Sequence, residues 1–251
     1  MHNLTEEQKE SLKELKTAIK HEITEYKCPP GSWFQLDDDL VLLKFLRARN
    51  FDVKEAMVLV HYHVDMRRNW NMDELKASDP DIKKGLDSGV WTLAGESKAG
   101  HPIQLIRTGL FIPADVESME AYWRSLLYQR ELTVHEMVKR KWKTETTVVV
   151  FDMEGWSLWV QGAPSAMKYT KILVDVSQNG YPEFLEKAII FNAPWVFRTA
   201  WAIIHPWLDP ATAGRVLFVT DPNELHEFID PAMLEVKYGG TRTTPWPTYG
   251  A

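Results

Sequence analysis

Three short apolar runs in the second half of the chain limit its fold more than any other feature. They are TTVVVF at 146–151, AIIF at 188–191 and VLFV at 216–219. TTVVVF is continuous and β-branched, so it has no solvent face, the pattern of a parallel strand covered on both sides. Helical spacing fills the gaps, over about 164–177 before the second run and over 195–208 before the third. Strands alternating with helices imply right-handed crossovers and a mainly parallel sheet flanked by helices. Val90 to Leu93 and Pro102 to Arg107 are two further strand candidates, separated by the turn-rich AGESKAGH. Ser118 opens a long helix that closes in basic residues, as a helix C-terminus favours. Asp221-Pro222 caps a last short helix, NELHEFI.

The first third of the chain has a different period. Leu4, Leu12, Leu15, Ile19 and Ile23 recur at helical spacing, and Thr5 with Gln8 forms a candidate capping box. CPPGSW at 28–33 breaks the helix. Asp37, Asp38 and Asp39 offer an N-cap to DLVLLKFLRARNF, and Asp52 starts a third helix ending near Asn71. Asp79-Pro80 reads as the start of a connecting region. The expected fold class is therefore α/β, a helical N-terminal subdomain over 1–75 followed by an α/β domain over 76–251.

Composition narrows the function. A net charge of −6 argues against nucleic acid as the main partner. The single cysteine, Cys28, excludes an internal disulfide and fits a reducing compartment. The hydrophilic start shows no signal peptide, and no run approaches the ~18 apolar residues of a membrane span. A cytoplasmic protein, expected as a monomer, follows from this reading.

Catalytic patterns fail one by one. Gly155-Trp156-Ser157 follows a strand as a nucleophile elbow would, but Trp159 stands where the second glycine is needed. No glycine-rich phosphate loop follows a strand. His61, His63 and Asp65 are two apart on a helix and point in different directions, so no metal site is expected. Glu224 and Glu227 sit on a charged face where solvation explains them. No enzyme activity, cofactor or metal is expected.

The helix at 195–208 is the odd element. A helix covering a sheet should be apolar on one side only. Here Trp195, Val196, Ala200, Ile203 and Trp207 fall near one face, and Phe197, Trp201, Ile204 and Leu208 on another. Such a helix is either deeply buried or has a second apolar neighbour besides the core.

YPEFLEKAIIFNAPWVF, PWLDPATAGRVLFV and the VKYGG of 236–240 together resemble the Sec14-like (CRAL-TRIO) lipid-binding family. DDDLVLLKFLRARNFDVKEA resembles that family's helical N-terminal module, and FDMEG its central strand and turn. The resemblance covers about 37–240 in the family's order. It implies a lipid-transfer protein whose sheet floors an apolar cavity, closed by a mobile gate helix after Asn192-Ala193-Pro194. Trp195 to Leu208 would be that gate, one face toward lipid and the other toward a membrane. Asn192, Pro194, Asp209 and Pro210 would be its hinges.

Residues that hold a phosphatidylinositol headgroup in the family transfer to Arg49, Glu183, Thr212 and Arg215. Asn50 and Arg215 each replace a lysine of the family pattern. Arginine holds phosphate bidentately, so the second change is compatible with binding. Positions used for phosphatidylcholine align with Leu93, Gln104, Thr147 and Val149 and match poorly. A tocopherol-, retinoid- or sterol-like ligand stays open. The expected ligand is one phospholipid, such as phosphatidylinositol, or a similar hydrophobic molecule, with transient, peripheral contact to a membrane. The alternatives are a lipid-sensing or protein-interaction module that does not transfer lipid and, behind it, a lipid hydrolase built on Ser157.

Overall fold

Local capping sets most helix starts. In the computed structural model, which describes residues 4–246, Thr5 and Gln8 form a reciprocal capping box at the start of α1, Glu6–Glu22. The Asp38 carboxylate caps α2, Asp39–Arg47, and Asp52 caps α3, Val53–Asn69. Each cap satisfies a backbone N–H that the helix itself cannot. Leu15 and Ile19 of α1, Leu42 and Leu46 of α2, and Ala56 and Val60 of α3 are all buried.

The chain forms two compact units. One runs to Glu74 and takes in Asp175–Phe184; the other holds Leu75–Val174 and Leu185 onward. The sequence boundary was expected at 75/76 alone, so the return of residues 175–184 to the helical unit is a difference. It rests on contacts more than a hundred residues apart in the chain, such as His63 with Gly180.

The second unit begins with α4, Pro80–Asp87, where the sequence was read as a connector. This helix has only Ile82 and Leu86 as buried anchors, too few to set a visible period. Then follow β1 (Trp91–Glu96), β2 (Pro102–Arg107), α5 (Met119–Lys139), β3 (Thr147–Asp152), α6 (Pro164–Asp175), β4 (Leu185–Phe191), α7 (Phe197–Ile204), α8 (Pro210–Ala213) and β5 (Val216–Val219). The helix expected over 164–177 leaves α geometry after Asp175 and continues as a π-helical turn, Val176–Gly180.

The sheet order is β1-β2-β3-β4-β5, antiparallel only between β1 and β2. Sequential order with right-handed crossovers puts the connecting helices on one face. The opposite face packs on the C-terminal segment. Ile103, Leu105, Val148, Val150, Ile189, Phe191 and Val219 form one core with Leu225, Leu234, Tyr238 and Trp246. On the helix face, registered rows run Gln104–Val149–Ala188–Val216 and Ile106–Phe151–Ile190–Phe218.

Candidate functional site

The helix face of the sheet changes character along its strands. Toward the amino ends it is polar. The Gln104 carbonyl oxygen accepts from Trp91 Nε1 and from Arg130 Nη1, both at 3.1 Å. Gln104 Nε2 donates to Thr147 Oγ1 at 3.4 Å, and that hydroxyl donates to the Pro102 carbonyl at 2.7 Å. Gln104 and Thr147 are buried, so the network answers the cost of burying them. Leu93 and Val149, also singled out in the sequence, lie on this face.

Toward the carboxyl ends the same face is apolar; Ile190 is buried there, while its row neighbours keep some exposure. Phe151 and Ile106 are half-buried, although β3 is the middle strand of five. Val148 and Val150, on the other face of the same strand, are 2% and 3% exposed. Tyr122 on α5 behaves similarly. Burial pushes its hydroxyl pKa up and it donates to the Tyr169 carbonyl at 3.1 Å, yet its side chain is only half-buried.

The helix expected over 195–208 covers part of this apolar end. It starts later than expected: Trp195 and Val196 precede α7, which begins at Phe197. After Ile204 it tightens into a 3-10 turn, His205–Trp207, and Leu208 lies beyond in extended geometry. Phe197 and Ala200 are buried against Met153 and Ile190, with Phe151, Trp201, Ile204 and Val216 packed around them. The outer side holds Arg198, Thr199 and Ile203, which is 49% exposed. So α7 has one inward apolar stripe, and the exposed large apolar residues are Ile203 on its outer side and Trp195, which precedes it.

The expected hinges have local geometry of their own. Asn192 adopts a left-handed φ of 55°, a conformation asparagine tolerates better than most residues. Pro194 accepts from Phe197 N through its carbonyl. Asp209 caps α8, and Pro210 occupies its first turn.

The four headgroup candidates fall into two pairs. Arg49, just after α2, donates to the Ala48 carbonyl at 2.9 Å and to Asn179 Oδ1 at 3.4 Å. Glu183 has a left-handed φ of 57°, and its carbonyl accepts from the buried Lys44 at 3.0 Å. Both lie in the helical unit. In the other unit, the Thr212 hydroxyl donates to Asp209 at 3.0 Å, and Arg215 donates to the Leu185 carbonyl at 2.6 Å.

Other candidates take structural roles. Ser157 Oγ accepts from the Trp159 amide. His61 pairs with Glu22 at 3.2 Å, whereas His63 is buried and bonded to Gly180. Among the described residues no group of side chains is arranged to hold a metal, and no helix is long and apolar enough to cross a membrane.

A largely parallel five-stranded sheet, packed on the C-terminal segment on one face and on helices on the other, defines a mixed α/β fold. The match to known proteins is specific. Residues 86–240 match the CRAL/TRIO domain and residues 11–60 the CRAL/TRIO N-terminal domain. The chain belongs to the Sec14-like (CRAL-TRIO) family. It is 32% identical over 216 residues to the phosphatidylinositol transfer protein CSR1 of Eremothecium gossypii, covering 80% of this chain and 47% of that protein. Patellin-3 of Arabidopsis thaliana is 27% identical over 98% of this chain and 53% of its own length. The chain thus spans about half the length of these relatives. The crystal structure of Sfh5 has the same fold, with a TM-score of 0.77 at 19% identity over 98% of this chain and 91% of that one.

Proposed function

We propose that this chain binds one phospholipid or similar hydrophobic molecule on the helix face of its sheet and exchanges it at membranes without catalysing a reaction. The observation that carries the reading is the half-buried apolar end of that face, Ile106 and Phe151, with Phe197 and Ala200 of α7 packed beside it. The name of CSR1 supports a lipid ligand and suggests phosphatidylinositol.

Energetics favour an enclosed ligand. Each CH₂ brought from bilayer to water costs about 0.8 kcal/mol, so a sixteen-carbon chain left exposed would cost roughly 12 kcal/mol. No single helix surface offsets that. In this reading α7 is the gate, moving about Asn192 and Asp209, and the protein is a cytoplasmic monomer that touches membranes peripherally.

Arg215 and Thr212 are the headgroup residues proposed in the sheet-bearing unit, and Arg49 and Glu183 those proposed in the helical unit. Transfer of labelled phosphatidylinositol between vesicles tests the reading. Arg215→Ala is expected to lower phosphatidylinositol loading several-fold. Unchanged loading would remove Arg215 from the site, and a wild-type chain that moves no lipid would end the proposal.

A further inference from the structure

We propose that three loops at the carboxyl ends of β2, β3 and β4 form a preassembled anchor that seats the chain on an uncharged bilayer surface, with Trp159 outermost. β2, β3 and β4 are neighbouring parallel strands, so the loops that follow them emerge at one edge of the sheet. These loops carry Leu110 and Ile112, Trp159 and Val160, and Trp195, exposed by 52%, 38%, 87%, 37% and 84%. Large apolar side chains gathered at one edge mark an interaction site, where scattered ones would mean little.

The loops are tied to each other. Gln161 is buried, and its amide donates to the Gly109 and Phe111 carbonyls at 3.3 and 3.0 Å. Its side-chain oxygen accepts from Ser157 N at 2.8 Å. Gly109 lies so close to the next loop that a Cβ there would meet the Glu154 carbonyl at 2.1 Å. Trp156 meets Phe197 edge-on at 5.1 Å, joining the second loop to the first residue of α7, which follows the third. Trp159 is therefore held in water by a hydrogen-bonded frame. Holding it there in advance lowers the ordering cost of binding.

Charge selects the occupant. The loop stretches 108–114, 155–163 and 192–197 contain no Asp, Glu, Lys or Arg, and charge enters at their flanks, with Asp115, Glu154 and Arg198 all exposed. A protein partner would be expected to meet a polar, hydrogen-bonding rim. An apolar tip led by tryptophans, itself free of charge over these stretches, fits the interfacial zone of a bilayer, where the indole has one apolar face and one polar N–H. The outer side of α7, with Arg198 and Thr199 exposed, suits that role less well than the loops. The anchor gives the lipid-carrier reading its membrane contact and rests on that reading for its purpose.

The test is flotation of the purified chain with vesicles of phosphatidylcholine alone, at about 0.05 and 0.5 M salt, with lipid extracted from the same preparations. Binding is expected at both salt levels. Trp159→Ser should reduce it at least tenfold without moving the thermal midpoint, since the side chain is 87% exposed. Val236→Ser, at an exposed valine outside the loops, should not. Equal flotation of Trp159→Ser and wild type would overturn the anchor. So would binding that needs anionic lipid and vanishes in salt, or a wild-type dimer that Trp159→Ser converts to monomer. Flotation lost in Trp159→Ser while neither protein carries lipid would leave the anchor standing and end the carrier reading. Co-purified lipid with unaltered flotation would do the reverse.

Discussion

His63 Nδ1 donates to the carbonyl oxygen of Gly180 at 2.6 Å, joining α3 to the π-helical turn across 117 residues of chain. The ring is fully buried among Phe34 at 4.2 Å, Tyr181 at 5.4 Å, Trp33 at 5.5 Å and Phe45 at 6.1 Å. Its Nε2 has no hydrogen-bond partner among the described residues. A second proton would sit there, inside an aromatic cage and near Arg67. Burial first and Arg67 second push the pKa down to about 3, against the opposing effect of the Gly180 bond.

This depression makes stability depend on pH. The unfolded chain takes up the His63 proton near pH 6.5 and the folded chain only near 3. Between those values the unfolded state holds more protons, so stability is complete above 6.5 and is lost as pH falls toward 3. The slope is up to about 1.4 kcal/mol per pH unit. His63→Phe should flatten it, at a cost of about 1–3 kcal/mol at neutral pH from the unpaired Gly180 carbonyl. Urea midpoints from pH 4 to 7 measure both effects, and equal slopes in the two proteins would clear His63 of the role.

The fold was readable where the signals are local. TTVVVF became β3, and Asp38, Asp52, Ser118 and Asp221 all cap the elements expected of them. β4 begins three residues before its apolar run, at Leu185, because Glu186 and Lys187 interrupt the pattern. The return of 175–184 to the helical unit was hidden, since a histidine on a helix does not announce a carbonyl 117 residues away. Of the site, the apolar excess of the segment around α7 was legible but its inward stripe was not, since Phe197 and Ala200, assigned to different faces, are buried together. Nor was the exposure of Trp159 legible, as GWSLW has no period that separates an inward from an outward indole.

A second buried pair governs the carboxyl end of β3. Asp152 is 3% exposed and accepts from the Tyr238 hydroxyl at 2.6 Å, from Glu154 N at 3.0 Å and from Lys237 at 3.4 Å. Burial and the Asp152 bond push the Tyr238 pKa up. A hydrogen bond to a buried carboxylate outweighs a partly exposed ion pair. Tyr238→Phe should therefore cost about 1.5–3 kcal/mol, and Lys237→Ala less than about 1 kcal/mol. Chemical denaturation measures both, and a larger loss for Lys237→Ala would reverse the ranking.

Glu183 separates backbone from side-chain roles. Its φ of 57° favours glycine, and its contact with Lys44 is through the backbone carbonyl. Glu183→Gly relieves the backbone strain and leaves the carbonyl that Lys44 uses in place. Phosphatidylinositol loading should fall, because the carboxylate is gone. Loading that stays at the wild-type level would exclude the carboxylate from headgroup binding.

The half-buried apolar face around Phe151 is where we propose that the lipid sits. Native mass spectrometry of the freshly purified chain, followed by lipid extraction, addresses this most directly. The expected result is one phospholipid-sized ligand per chain, lost or much reduced in Phe151→Asp at matched folded content. Wild-type protein with no bound lipid, and none acquired from vesicles containing phosphatidylinositol, would contradict the account.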